Sequence, residues 1–353
     1  LAISILLIKI NSIKISNKNM VKDVAGIIGI TTDPYILGAN GGSGSGFWNL
    51  FDQIRYKRLS QWPTIGVAAT GGTEYIPGNG YKYHVFTAPG SLNVTNSGDI
   101  QILVVGGGGS APPGYAGGGG GGGIVYETSY SINPGPYPVS VGAGAASGPY
   151  PTTNGSPSTF DVLYTGVGGG GGGQPAATGR PGGSGGGEQD LGAGKGTGTQ
   201  PSQPKPATAT NYGNPGGNGL TTGSYQAGGG GGAGAAGSPA PGPAGSSSGG
   251  AGGAGQPFPG FEYPIVGLSP YATPGPNPAN SPTNNHYGGG GSGWGYVGLN
   301  PRSAGGGGGG GTSGSPSAIL PGLANLGGGG GNDFFQSPAG SGGSGIVIIR
   351  YLL

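Results

Sequence analysis

The sequence predicts an all-β fold: a small antiparallel β-sandwich closed by the C-terminal strand, with an inserted bundle of polyglycine II helices and a short N-terminal segment carrying one helix. Three observations point there. Short apolar stretches separated by turn residues occupy 81–167, a further β-prone stretch ends the chain, and pure glycine runs fill the interval between them.

The framework strands come first. YKYHVFTA (81–88), SLNVT (91–95), IQILVV (100–105), IVYETSYSI (124–132), YPVSVGA (137–143) and STFDVLYTGV (158–167) alternate or cluster as strands do. Ala88-Pro89-Gly90, Asn96-Ser97-Gly98, Asn133-Pro134-Gly135-Pro136 and Asn154-Gly155-Ser156-Pro157 separate them with hairpin and turn chemistry. GIVIIRYLL (345–353) is strongly β-prone and carries one charge, so left unpaired it would invite aggregation. It is expected to return to the sheet. The stretch 168–344 is then an insertion whose two ends meet at one framework within a domain spanning 73–353.

Runs of glycine stand at 106–109, 117–123, 168–173, 228–232, 288–291, 305–311 and 327–331. They lack the invariant third-residue period that a collagen triple helix requires. Glycine costs about 0.5–1 kcal/mol more than alanine to order, so ordered runs make sense only where an absent side chain lets backbones approach closely. A threefold extended helix has no internal hydrogen bonds, and its outward amides and carbonyls can be satisfied by neighbouring helices. Pure runs, flanking strands and aromatic loops all oppose the competing reading of a flexible glycine-serine linker.

Upstream, 1–19 (LAISILLIKINSIKISNKN) is too short an apolar stretch to span a bilayer, and its basic residues follow the apolar ones, the reverse of a signal peptide. It is read as an untranslated or disordered leader before Met20, with a buried or edge strand as the alternative. Residues 20–72 form a separate attachment segment. In it FWNLFDQIRYKRLSQWP places Phe47, Leu50, Phe51 and Ile54 near one helix face, with Pro63 as a stop. Those residues are candidates for docking to a partner or to sister chains, or for packing within their own segment.

Composition excludes several functions. The chain of 353 residues holds 95 glycines, against an ordinary share of about 7%, and no cysteine, so disulfide scaffolds and thiolate metal sites are ruled out. Its 13 basic residues fall to ten once Lys9, Lys14 and Lys18 of the leader are set aside, against eleven acidic ones. That near-neutral body lacks the basic patches of a nucleic-acid binder, and no segment suits membrane insertion. His84 and His286 are the only histidines and the carboxylates show no paired spacing, so neither an enzyme, a metal site nor a cofactor is expected. His84, between Tyr83 and Val85 in a strand, reads as structural. Dinucleotide-type glycine patterns are satisfied trivially by polyglycine and mean nothing here.

The succession HVFTAPGSLNVTNSGDIQILVVGGGGS, GGGIVYETSYSINPGPYPVSVGAGA, NGSPSTFDV and GGSGIVIIRY resembles the glycine-rich domain of phage tail-fibre and related virion proteins, over about 81–353. The insertion resembles in style the polyglycine-helix tip adhesins of long tail fibres. That resemblance implies a virion protein whose distal loops bind a host surface receptor, a glycan or an outer-membrane protein. A purely structural virion or cell-surface protein with no external ligand is the alternative function, and an extracellular or cell-surface location the alternative to the virion. The ring-rich loop QPFPGFEYPIVGLSPYATPGPNPANSPTNNHY and the connection after it supply the contact candidates Phe258, Phe261, Tyr263, Tyr271, His286, Tyr287, Trp294 and Tyr296. Large amphipathic rings give much contact area at low entropic cost. Equally, the same rings could cover array ends and fill the space between sheets.

Overall fold

A computed structural model describes residues 66–148, 152–174, 177–189, 194–220, 226–242, 248–268, 285–295, 304–312, 321–332 and 340–353. The leader 1–19 and the expected helix with Phe47, Leu50, Phe51 and Ile54 lie outside the described residues. The described unit begins at Gly66, a little before the domain start expected at 73.

Strands β1 (Ala68–Thr70), β2 (Thr73–Tyr75), β3 (Tyr81–Phe86), β4 (Gly90–Asn96), β5 (Gly98–Val105), β6 (Ile124–Ile132), β7 (Gly135–Ser140), β8 (Ser158–Phe160), β9 (Tyr164–Gly166), β10 (Thr210–Tyr212) and β13 (Ile346–Leu352) form two antiparallel sheets. One runs β1-β4-β7-β8-β9 and the other β10-β6-β5-β13-β3-β2. The short strands β11 (Gln256–Pro257) and β12 (His286–Tyr287) pair with each other. The expected strand 158–167 is a hairpin, because Asp161 adopts a positive φ of 51° and turns the chain between β8 and β9.

The C-terminal strand does return to the sheet. β13 lies between β3 and β5, with Ile349 opposite both His84 and Ile102. It is buried on both faces, so its apolar residues divide by parity. Val347, Ile349 and Tyr351 enter the core between the sheets with Leu92, Val94, Ile102 and Phe160, while Ile346 and Ile348 face outward into a second apolar cluster. Each fully buried aliphatic side chain contributes about 1.5–3 kcal/mol. At one open side of the sandwich, the buried Gln200 accepts a hydrogen bond from Val167 N at 2.7 Å and donates to Thr165 O at 3.0 Å.

Beyond one end of the sandwich the strands run straight into glycine. β5 continues into 106–112, β6 is preceded by 117–123, and β13 by 340–345. The central segment 117–123 exposes its logic. Its amides donate in turn to Gly173, Gly228, Gly330, Gly170, Gly231, Gly327 and Val167 carbonyls, so the partner segment changes at every residue and recurs every third. Its carbonyls accept from Gly187, Gly291, Gly109, Ser184 and Gly106, on other surrounding segments. Backbone polar groups buried on all sides are thereby paired. A Cβ on Gly118, Gly119, Gly120 or Gly121 would strike the carbonyl oxygens of Gly291, Gly109, Ser184 or Gly288 respectively. The array therefore excludes side chains at its centre.

Candidate functional site

The pairing of β11 with β12 lays 256–268 over the outer face of the six-stranded sheet, where Tyr83, Val85, Leu103, Ile124, Ile346 and Ile348 would otherwise meet water. Phe258, Phe261, Tyr263 and Tyr287 are buried there, so the expectation that they form an exposed contact surface is corrected. The physical reason is that an apolar sheet face must be covered. Phe258 packs edge-on against Tyr126 at 5.1 Å, Tyr263 donates to His286 O, and Tyr287 donates to Phe261 O at 2.7 Å. Burial pushes the Tyr287 hydroxyl well above its ordinary pKa. His286 is half-buried, and its Nδ1 lies 3.0 Å from Asn285 Oδ1. Its pKa is lowered by burial. Tyr271 and Tyr296 lie outside the described residues.

Sequence reading missed the group that fastens this cover. Arg350, nearly buried, places its guanidinium carbon 4.3 Å from the Phe261 ring centre and 4.6 Å from that of Tyr81. It donates to Gly260 O at 2.6 Å and to Gln101 Oε1 at 2.7 Å. The signal was present as the one charge in an otherwise apolar strand. His84 is fully buried, beyond the half-burial that its strand neighbours Tyr83 and Val85 suggested. Its Nδ1 donates to Gly71 O at 2.8 Å and its Nε2 accepts from the Tyr351 hydroxyl at 3.1 Å. Desolvation lowers its pKa, and Glu74 Oε1 stands 3.8 Å away.

Trp294 is separate from the other rings. It is buried at the end of the array farthest from the sandwich, where its amide donates to Ala116 O and its ring meets half-buried Tyr115 edge-on at 4.5 Å. The described residues flanking 149–151, 175–176, 190–193, 221–225, 243–247, 296–303, 313–320 and 333–339 all lie in this distal half, as their hydrogen-bonding levels along the array show. The β2–β3, β4–β5, β6–β7 and β8–β9 turns of the sandwich lie at the opposite end, the last with Val162 84% exposed.

Glycine segments close distally with polar residues, namely Ser110, Gln174, Glu188, Gln226, Ser292, Thr312 and Asn332. Some satisfy backbone that the array no longer reaches. The Glu188 carboxylate accepts from Gly194 N at 2.7 Å and Gly219 N at 3.0 Å, and Asn332 Nδ2 donates to Pro112 O. This layer was readable as a polar residue directly after the runs 106–109, 168–173, 288–291, 305–311 and 327–331, whereas 117–123 and 228–232 adjoin Ala116 and Ala227. The described residues contain no group of three or more His, Asp or Glu side chains suited to a metal ion, and no helix long and apolar enough to cross a membrane.

No curated protein matches the chain. A family model for the glycine-rich domain matches residues 87–352, which takes in both sheets from β4 onward, the covering segment and the whole array. The chain therefore belongs to the glycine-rich domain family.

Proposed function

We propose that the protein is a non-enzymatic adhesin, a virion protein of the tail-fibre-tip kind. In this reading its glycine segments are polyglycine II helices, and the distal end of the array contacts a host surface receptor, a glycan or an outer-membrane protein. The three-residue recurrence of hydrogen-bond partners around 117–123 supports the helical assignment, because a threefold helix turns each successive amide toward a different neighbour. One observation carries the functional reading. The described array residues that flank 149–151, 175–176, 190–193, 221–225, 243–247, 296–303, 313–320 and 333–339 lie in the half of the array away from Gly66, which stands beside Leu352. A rigid scaffold that presents many chain reversals on one face is suited to recognition. Attachment to other fibre or virion proteins is assigned to the N-terminal segment.

The burial of Phe258, Phe261, Tyr263 and Tyr287 favours a second reading, a purely structural protein with no external ligand, for the side of the molecule they occupy. The two are separable because the chain has no cysteine. Asn218→Cys places a thiol on an exposed distal residue, and Val162→Cys places one on the exposed turn at the other end. Each full-length variant is conjugated to a bulky polymer and tested for saturable binding to intact cells of a broad host panel. Binding abolished only by the conjugate at 218 is expected. Equal binding of both conjugates, or no binding by the unconjugated protein, would overturn the adhesin reading and leave the structural one.

A further inference from the structure

We propose that Ser292, Thr312 and Asn332 form an internal site that binds a water molecule and joins three array segments at their distal ends. The three residues are buried, and Ser292 Oγ, Thr312 Oγ1 and Asn332 Oδ1 have no hydrogen-bond partner. They sit on adjoining chains. Asn332 N donates to Ser292 O at 3.1 Å, Ser292 N donates to Gly311 O at 3.0 Å, and a Cβ on Gly331 would meet the Thr312 carbonyl oxygen. Three orphaned oxygens on three segments whose backbones adjoin at one level are a different matter from one stray atom, since each would carry its own desolvation cost.

The donor set selects the ligand. Asn332 Nδ2 is committed to Pro112 O, so the remaining amide oxygen can only accept. The two hydroxyls can each donate and accept. Water matches this, giving one proton to Asn332 Oδ1, the other to one hydroxyl, and accepting from the second, within the usual count of about three bonds for a buried water. A cation would be held by three neutral oxygens with its charge uncompensated, which burial disfavours. The segment ends would thus be tied by a shared solvent molecule where the glycine-to-glycine bonding stops.

The test combines melting of full-length variants with magnetisation transfer on the unaltered protein. Ser292→Ala and Thr312→Val are each expected to lower Tm by about 2 °C or more, because each breaks a bond to the water. Ser184→Ala is the control, since Ser184 Oγ is also buried without a partner but lies on a different segment. It should leave Tm unchanged or raise it. In the unaltered protein, transfer from a long-lived water to the Ser292 or Asn332 amide is expected. Absence of that transfer, or a Thr312→Val variant at least as stable as its parent, would overturn the site. A parent Tm that rises in potassium or sodium chloride over choline chloride, and does so only with Thr312 intact, would overturn water in favour of a cation.

Discussion

The sandwich and the glycine array are built from extended chain and run along one direction, yet they are held together from opposite parts of the residue. Between the sheets, Leu92, Ile102, Phe160 and Ile349 fill the interior, and backbone bonds lie within each sheet. In the array, segment 117–123 offers no side chain at all, and its amides and carbonyls bond outward on every side. The first region requires volume at fixed positions, while the second requires its absence. Specificity in the array rests on backbone pairing, which is costly to leave unmade.

The largest expected effect follows from that contrast. Gly119→Ala places a methyl group against the Gly109 carbonyl, and the surrounding backbone cannot yield without losing bonds of its own. A cost of about 4 kcal/mol or more is expected in chemical denaturation, the range reserved for severe core damage. A stabilised or unchanged Gly119→Ala protein, as helix or loop entropy alone would give, breaks the comparison. Next, Ile349→Ala should cost about 3 kcal/mol through lost burial and a residual cavity. Arg350→Met should cost about 2 kcal/mol, since it keeps an apolar stem between Tyr81 and Phe261 but loses the charge and the bond to Gly260 O. Limited proteolysis between 256 and 268 would check that the covering segment is what loosens.

The smallest effect is pH-dependent. His84 is neutral and buried, with its pKa below the ordinary 6.5, so in acid the unfolded chain takes up a proton that the folded chain refuses. Stability therefore falls as pH drops below about 6.5, toward the lowered folded value, by at most about 1.4 kcal/mol per pH unit for one group. His286 acts in the same direction. In His84→Gln the slope of melting temperature with pH across this window should shrink by the share of one proton. An unchanged slope would assign the acid sensitivity to His286 and to carboxylates such as Glu74, which its hydrogen bond to Lys82 holds below the usual range.

Much of the framework was legible because turn residues bracket strands of period two. The predicted stretch 124–132 coincides with β6, and the return of β13 followed from the hazard of an unpaired apolar strand. β1, β2, β10, β11 and β12 were not anticipated. They are two or three residues long, and all but β2, which pairs with the next strand, depend on partners well separated in the chain, as Thr210–Tyr212 depends on β6, so no local pattern marks them. The candidate rings misled for a related reason. Phe261 and Tyr263 have the chemistry of contact residues, and only the six-stranded sheet behind them decides that they face inward. A sequence shows which residues can cover a surface, but not which surface.

Because β5, β6 and β13 pass without a break into 106–112, 117–123 and 340–345, the molecule behaves as a loaded strut as well as a folded domain. Its hydrogen bonds lie across the axis, so tension between base and distal end loads them in shear, many at once. Single-molecule pulling between Gly66 and a distal cysteine at 218 should then meet one high barrier and rupture in a single step. A staircase of small yields would mean that the glycine segments slide past one another and that the strut is a sheath.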